Sequence, residues 1–158
     1  QPFALFDRFP ARYSRAGLLD AVEPALSRRV LERLGPPGTE LRRLQFRAGA
    51  VTAETSDGSQ HDLSGEDLVT ARQRAAALVA PFEEALGPLD GLASLDALDG
   101  LRLYFGNGEI AHLRPSGNAP QLRLYAVADS PERADTLVAA ALAEPDGILR
   151  RLLAHCAA

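Results

Sequence analysis

The residues best suited to chemistry fall in one short stretch, Arg-Pro-Ser-Gly-Asn-Ala-Pro at 114–120. A phosphate dianion is held by several donors converging from one side: a forked guanidinium, small hydroxyls, amides and free backbone N–H groups. This stretch supplies each kind. Arg114 can bind two oxygens at once, Ser116 and Asn118 can each donate one hydrogen bond, and Gly117 lets the backbone come close or take positive φ. Pro115 and Pro120 limit the loop's other conformations, which lowers the ordering cost of binding. The same residue types also build ordinary turns, so composition leaves both a phosphate cradle and a plain turn open.

Two residues beside the loop could assist. Arg123 on the following strand either reaches the anion or pairs with an acid. His112 alternates onto the same strand face as Arg114, although a lone histidine on a strand is more often structural. His61 and His155 read as solvated, Arg102 as a surface residue, and the pairs Arg42-Arg43 and Arg150-Arg151 as solvated faces. Asp96 and Asp99 are two carboxylates without further oxygen ligands, a poor cation site. Cys156 has no partner, which excludes an internal disulfide and a cysteine-based zinc site.

These residues need elements to position them. Strands at 101–105, 109–113 and 121–128, joined by the Gly-Asn-Gly turn and by the loop itself, predict a meander. Ser130-Pro131-Glu132 opens a helix with Ala134, Leu137, Val138, Ala141 and Leu142 as its buried stripe, and a last short helix follows Pro145-Asp146-Gly147. Upstream, Pro24–Leu34 has helical spacing and ends at Gly35. After the Gly-Pro-Pro-Gly-Thr stretch at 35–39, Leu44 and Phe46 alternate with polar residues and 51–63 turns at Asp57-Gly58, which predicts two or three short strands there. From Ser64 a long helix runs through Leu68, Ala71, Ala75, Leu78, Val79, Phe82 and Leu86, with Ser64 and Asp67 as a capping box. Pro81 should kink or break it near its end. Residues 87–100 read as a connection with one turn of helix, and Phe3, Phe6 and Phe9 as an amphipathic turn closed by Pro10.

Length and composition bound the rest. The chain has 158 residues, formal charge −4 and 17 basic residues, all arginine. Bulk electrostatics therefore do not favour nucleic acid or an acidic membrane, and any anion site must be local. No apolar run approaches a bilayer span, and the N-terminus lacks a signal-peptide layout, so a cytoplasmic protein is expected. The arginine-rich, lysine-free usage suggests a GC-rich bacterial genome. No methionine occurs and the chain opens on Gln1, which predicts a fragment.

Residues 99–142 resemble the C-terminal, fourth domain of the α-D-phosphohexomutases, the phosphomannomutase and phosphoglucomutase superfamily. That family has an Asp-Gly before a strand, an Arg-Pro-Ser-Gly-Thr-Glu-Pro loop, a Leu-Arg-x-Tyr strand and a Ser-x-Glu-x-Ala helix start. Arg114, Pro115, Ser116, Gly117 and Pro120 match the loop, Leu122, Arg123 and Tyr125 the strand, and Ser130, Glu132 and Ala134 the helix. Asn118 replaces Thr and Ala119 replaces Glu, a subgroup trait that leaves the preferred sugar open. Residues 36–98 do not align with the family pattern.

The resemblance implies an α+β fold, a mainly antiparallel sheet of four or more strands flanked by helices on one face (TATA-binding-protein-like). It implies that residues 1–13 end a preceding domain and form the hinge, and that 14–158 are the phosphate-binding domain. It further implies a phosphoryl transfer between the 1- and 6-positions of a mannose or glucose phosphate, assisted by Mg2+. Arg114, Ser116, Gly117 and Asn118 then hold the substrate's non-reacting phosphate, with Arg123 and His112 behind them. The partners are the hexose phosphate and the enzyme's other three domains. The family's phosphoserine, metal and sugar loops do not occur here, so the fragment alone is expected to be inactive. The rivals are an α+β nucleic-acid-binding module, disfavoured by the net charge and the few sheet aromatics Tyr104, Phe105 and Tyr125, and a protein-interaction module without catalysis.

Overall fold

The computed structural model describes residues 12–157. Eight strands form one antiparallel sheet: β1 (Tyr13–Asp20), β2 (Leu41–Arg47), β3 (Ala50–Thr55), β4 (Gln60–Asp62), β5 (Leu92–Asp96), β6 (Leu101–Phe105), β7 (Ile110–Pro115) and β8 (Gln121–Ala128). Their spatial order is β1-β8-β7-β6-β5-β2-β3-β4. Four helices accompany them: α1 (Pro24–Leu34), α2 (Gly65–Leu86), α3 (Pro131–Leu142) and α4 (Ile148–Ala157).

Alternation along the strands decides which face the helices cover. Leu101, Leu103 and Phe105 of β6, Ala111 and Leu113 of β7, and Leu122, Leu124 and Ala126 of β8 are buried on one side. All but Ala126 join Leu44, Val51 and Ala53 from β2 and β3 with Val30, Leu78, Phe82 and Leu149 from the helices in the main core, and Ala126 packs with Ala128, Ala134 and Leu137 in a smaller cluster under α3. The Phe82 and Phe105 rings meet at 5.2 Å between centroids. The intervening residues, Arg102 and Tyr104 of β6, Ile110, His112 and Arg114 of β7, and Arg123, Tyr125 and Val127 of β8, face away from the helices. The fold is thus α+β, an antiparallel sheet with helices on one face, as expected.

The meander, the hairpin at Gly58 and all four helices with residues in the described range form where the sequence places them. Two strands were not expected. Tyr13–Asp20 buries only Leu19, so it carries no alternating signal; it becomes a strand by pairing along its whole length with β8. Leu92–Asp96 lies where a connection with a helical turn was expected. Asp90 and Gly91, both at positive φ, turn the chain into the slot between β2 and β6 instead.

Two local readings are also corrected. The α2 helix continues past Pro81 to Leu86, because Pro81 and Phe82 are buried in the core and the Gly87 amide closes the last turn on the Glu83 carbonyl. Ser64 is the N-cap of α2, yet its side chain makes no capping hydrogen bond. The Phe3–Phe9 turn, the closing Pro10 and most of the 1–13 hinge lie outside the described residues.

One polar cluster ties α3 to the sheet. Glu109, 7% exposed, receives the Arg133 fork at 2.7 and 2.9 Å and the Asn107 amide at 2.9 Å. Burial pushes the Glu109 carboxyl up, but Arg133 and Asn107 outweigh it and hold the group below the usual range.

Candidate functional site on the open sheet face

The loop at 116–120 links β7 to β8, and its backbone is closed internally. The Ser116 amide donates to the Gln121 carbonyl at 3.1 Å, the Gln121 amide donates to Ala119 at 2.8 Å, and Val22 donates to Pro120 at 2.9 Å. The Ser116 amide is therefore spent, while among the described residues neither the Gly117 nor the Asn118 amide is taken up by a backbone carbonyl. Gly117 and Asn118 are exposed. Gly117 does not take positive φ, and a Cβ built on it would meet nothing within 4 Å. The space around it is open, so no intrachain contact requires its glycine.

Arg114 and Arg123 stand directly opposite each other on β7 and β8, both exposed on the open face. Like charges at such a position repel, so the pair is stable only with compensating groups. Asp99 supplies one, its Oδ2 lying 3.2 Å from Arg114 Nε. The Tyr125 hydroxyl supplies another: the Arg123 guanidinium first and Arg114 next hold this half-buried phenol below its usual range.

His112 sits one step inward on the same face and is 7% exposed. Its Nε2 contacts the Asp99 carbonyl and its Nδ1 lies 3.4 Å from an Arg102 terminal nitrogen. These contacts fit the tautomer protonated at Nε2, which donates to Asp99 and accepts from Arg102. The His112 ring also lies 5.7 Å from that of Tyr125. Arg102 is further supported by Tyr104, the first cause of its raised pKa.

Together these groups line a cavity of about 490 Å3. Arg102, Arg114, His112 and Asp99 form its polar side, and Tyr104, Tyr125, Ile110 and Val127 the rest. Of the sequence-assigned residues, Arg114 and His112 line this cavity, Arg123 meets them through Tyr125, and Ser116, Gly117 and Asn118 lie outside the lining, on the adjoining loop. Arg102, read as a surface residue, is a half-buried wall of it. The sequence marks Asp99 as a poor cation ligand and Tyr125 as a strand match and sheet aromatic, and neither reading places it beside Arg114. Period-two spacing puts 102 and 104, 112 and 114, and 123 and 125 on common strand faces, but only the strand register brings the three pairs together.

Among the described residues no group of three or more His, Cys, Asp or Glu side chains comes together to hold a metal ion. Asp96 and Asp99 are both engaged within the chain: Asp96 accepts from the Tyr104 hydroxyl at 3.2 Å and Asp99 pairs with Arg114. These two carboxylates therefore do not fit a magnesium centre.

A sheet with one open face, and two opposed arginines, Arg114 and Arg123, beside the β7–β8 loop, defines an α+β domain with a cationic strand end. Residues 68–144 match the family described as phosphoglucomutase/phosphomannomutase, C-terminal domain. This segment is therefore similar to the C-terminal domain of phosphohexomutases. A phosphomannomutase of Sinorhizobium fredii is 56% identical over 52 residues, 33% of this chain and 11% of the relative. A phosphomannomutase of Salmonella muenchen is 58% identical over 43 residues, 27% of this chain and 9% of the relative. The matched stretches thus span about a tenth of these relatives' lengths. The NMR solution structure of KanY protein aligns over 95% of this chain and 99% of its own at 9% identity and a TM-score of 0.38, too slight a likeness to carry an argument. Among the described residues no helix is long and apolar enough to cross a membrane.

Proposed function

We propose that this chain is the phosphate-gripping C-terminal domain of a cytoplasmic phosphohexomutase that moves a phosphoryl group between the 1- and 6-positions of a mannose or glucose phosphate. The domain holds the phosphate that is not reacting, so its contribution to catalysis is positioning. Arg114 offers its fork, Ser116 and Asn118 their side chains, and Gly117 and Asn118 their amides. Arg123 adds a second cation across the strand pair, and His112 supports the site from behind through the Asp99 turn. Phosphoryl transfer itself, and any magnesium ion that assists it, belongs to the other three domains. The 158 residues alone are inactive.

The observation that carries this reading is the direct opposition of Arg114 and Arg123 beside a loop with two uncommitted amides, all within the family-matched segment. A dianion bridging the two guanidinium groups removes the like-charge repulsion that the register imposes. Titrating inorganic phosphate or mannose 6-phosphate into the isotope-labelled chain tests it. The Gly117 and Asn118 amides should shift with a Kd on the order of millimolar, because a single lobe leaves most of the ligand in water. Arg114→Ala should weaken binding by about tenfold or more. Shifts spread evenly over the surface, or undiminished binding by the variant, would count against the site.

A further inference from the structure

Asp99 is the residue whose position the phosphate reading leaves without a use. It is exposed, it carries the same sign as the proposed ligand, and it sits against the principal ligand-binding cation. Three separate features hold it there. Its backbone carbonyl is engaged by His112 Nε2. The next residue, Gly100, lies at φ +72, where a Cβ would run into the Leu113 carbonyl and crowd the Arg114 Cα. The turn is thus pressed against the backbone of the residue whose side chain Asp99 contacts. Its carboxylate then meets Arg114 at Nε, 3.2 Å away.

We infer that Asp99 is a positioning residue for phosphate binding, which fixes the Arg114 guanidinium through Nε so that its terminal nitrogens are aimed at the anion. A guanidinium gripped at Nε still has donors on its two terminal nitrogens, so a carboxylate and a phosphate can hold one arginine together. Without the carboxylate, Arg114 faces Arg123 with only the Tyr125 hydroxyl between them, and the two cations splay apart until a ligand draws them back. Ordering the side chain in advance spares the ligand that cost.

Removing a negative charge near an anion site would by itself tighten binding. The Asp99 and Arg114 side chains are 59% and 48% exposed, so that effect is screened, and the lost ordering outweighs it. Net weakening therefore separates a positioning carboxylate from a mere bystander or competitor.

The inference rests on the phosphate reading, and one experiment on the full 158-residue chain separates their failures. Inorganic phosphate is titrated into the wild type, Asp99→Asn and Asp99→Ala, with fold checked by amide dispersion. The Arg114 Nε–H resonance of the ligand-free proteins, assigned by its loss in Arg114→Ala, is followed by nitrogen-15 relaxation. Asp99→Ala should weaken phosphate binding by about twofold to tenfold, with Asp99→Asn no tighter than the wild type. The Arg114 Nε–H vector should be more ordered in the wild type than in Asp99→Ala. A wild type that binds no phosphate overturns the phosphate reading and this inference with it. A wild type that binds, with a folded Asp99→Ala that binds equally or more tightly or keeps the wild-type order at Arg114 Nε–H, or a folded Asp99→Asn that binds more tightly, overturns the positioning role alone.

Discussion

At Tyr125 a phenol, two guanidinium groups and the buried His112 ring meet on the helix-free face of the sheet, so its ionisation reports the state of the site. Arg123 first and Arg114 second stabilise the phenolate, which places Tyr125 below the ordinary tyrosine range. The chain has three tyrosines, and Tyr125 should be the first to ionise in an ultraviolet titration. Arg123→Ala should move that first step upward, and Tyr125→Phe should abolish it. The sign for ligand binding follows by linkage: a bound phosphate competes for the two arginines, so it raises the Tyr125 midpoint, and phosphate affinity must fall as pH climbs through the tyrosine range. A Tyr125 midpoint that saturating phosphate leaves unmoved would mean that the anion and the phenol do not share these arginines.

Among the elements, the two serine N-caps look alike in sequence and differ in space. Ser130 accepts a hydrogen bond from the Arg133 amide at 3.0 Å, and Pro131 and Glu132 complete a first turn suited to the helix dipole. Ser64 has an extended cap backbone and no side-chain hydrogen bond. Ser130→Ala should therefore cost about 1 kcal/mol and Ser64→Ala only a few tenths, about 0.3 kcal/mol, in urea denaturation. Equal losses would show that Ser64 caps α2 in solution after all. The α3 start matters to the site because Glu109 and Arg133 pin this helix to the β6–β7 turn, which lies at the opposite end of β7 from the loop.

For the whole molecule, the family-matched segment supplies β5 to β8, the middle of the sheet, while β1 extends one edge and β2 to β4 the other. These additions are not a separate lobe. Leu44, Val51 and Ala53 share one continuous core with Leu103, Leu113 and Leu124 and with Cys156 of α4. Unfolding should then be a single event. Urea transitions followed by far-ultraviolet circular dichroism and by reactivity of the Cys156 thiol, fully buried in the native chain, should coincide. An early transition in labelled β2–β4 residues, with Cys156 still protected, would divide the molecule into two units.

Helix positions, the 101–128 meander and the loop were legible in the residues because each rests on local physics: 3.6-residue and two-residue periods, caps, and turn residues that few conformations satisfy. Arg114, Ser116, Gly117 and Asn118 could be singled out on the same grounds. What the sequence could not disclose depends on partners distant along the chain. Tyr13–Asp20 and Leu92–Asp96 have no strand pattern of their own and become strands because an edge and a slot of the sheet accept their backbone hydrogen bonds. The cavity likewise exists only once strand register sets Arg102 opposite His112, His112 opposite Tyr125 and Arg114 opposite Arg123. Residue types singled out the donors at this junction, and tertiary pairing decided which carboxylate and which phenol share its arginines.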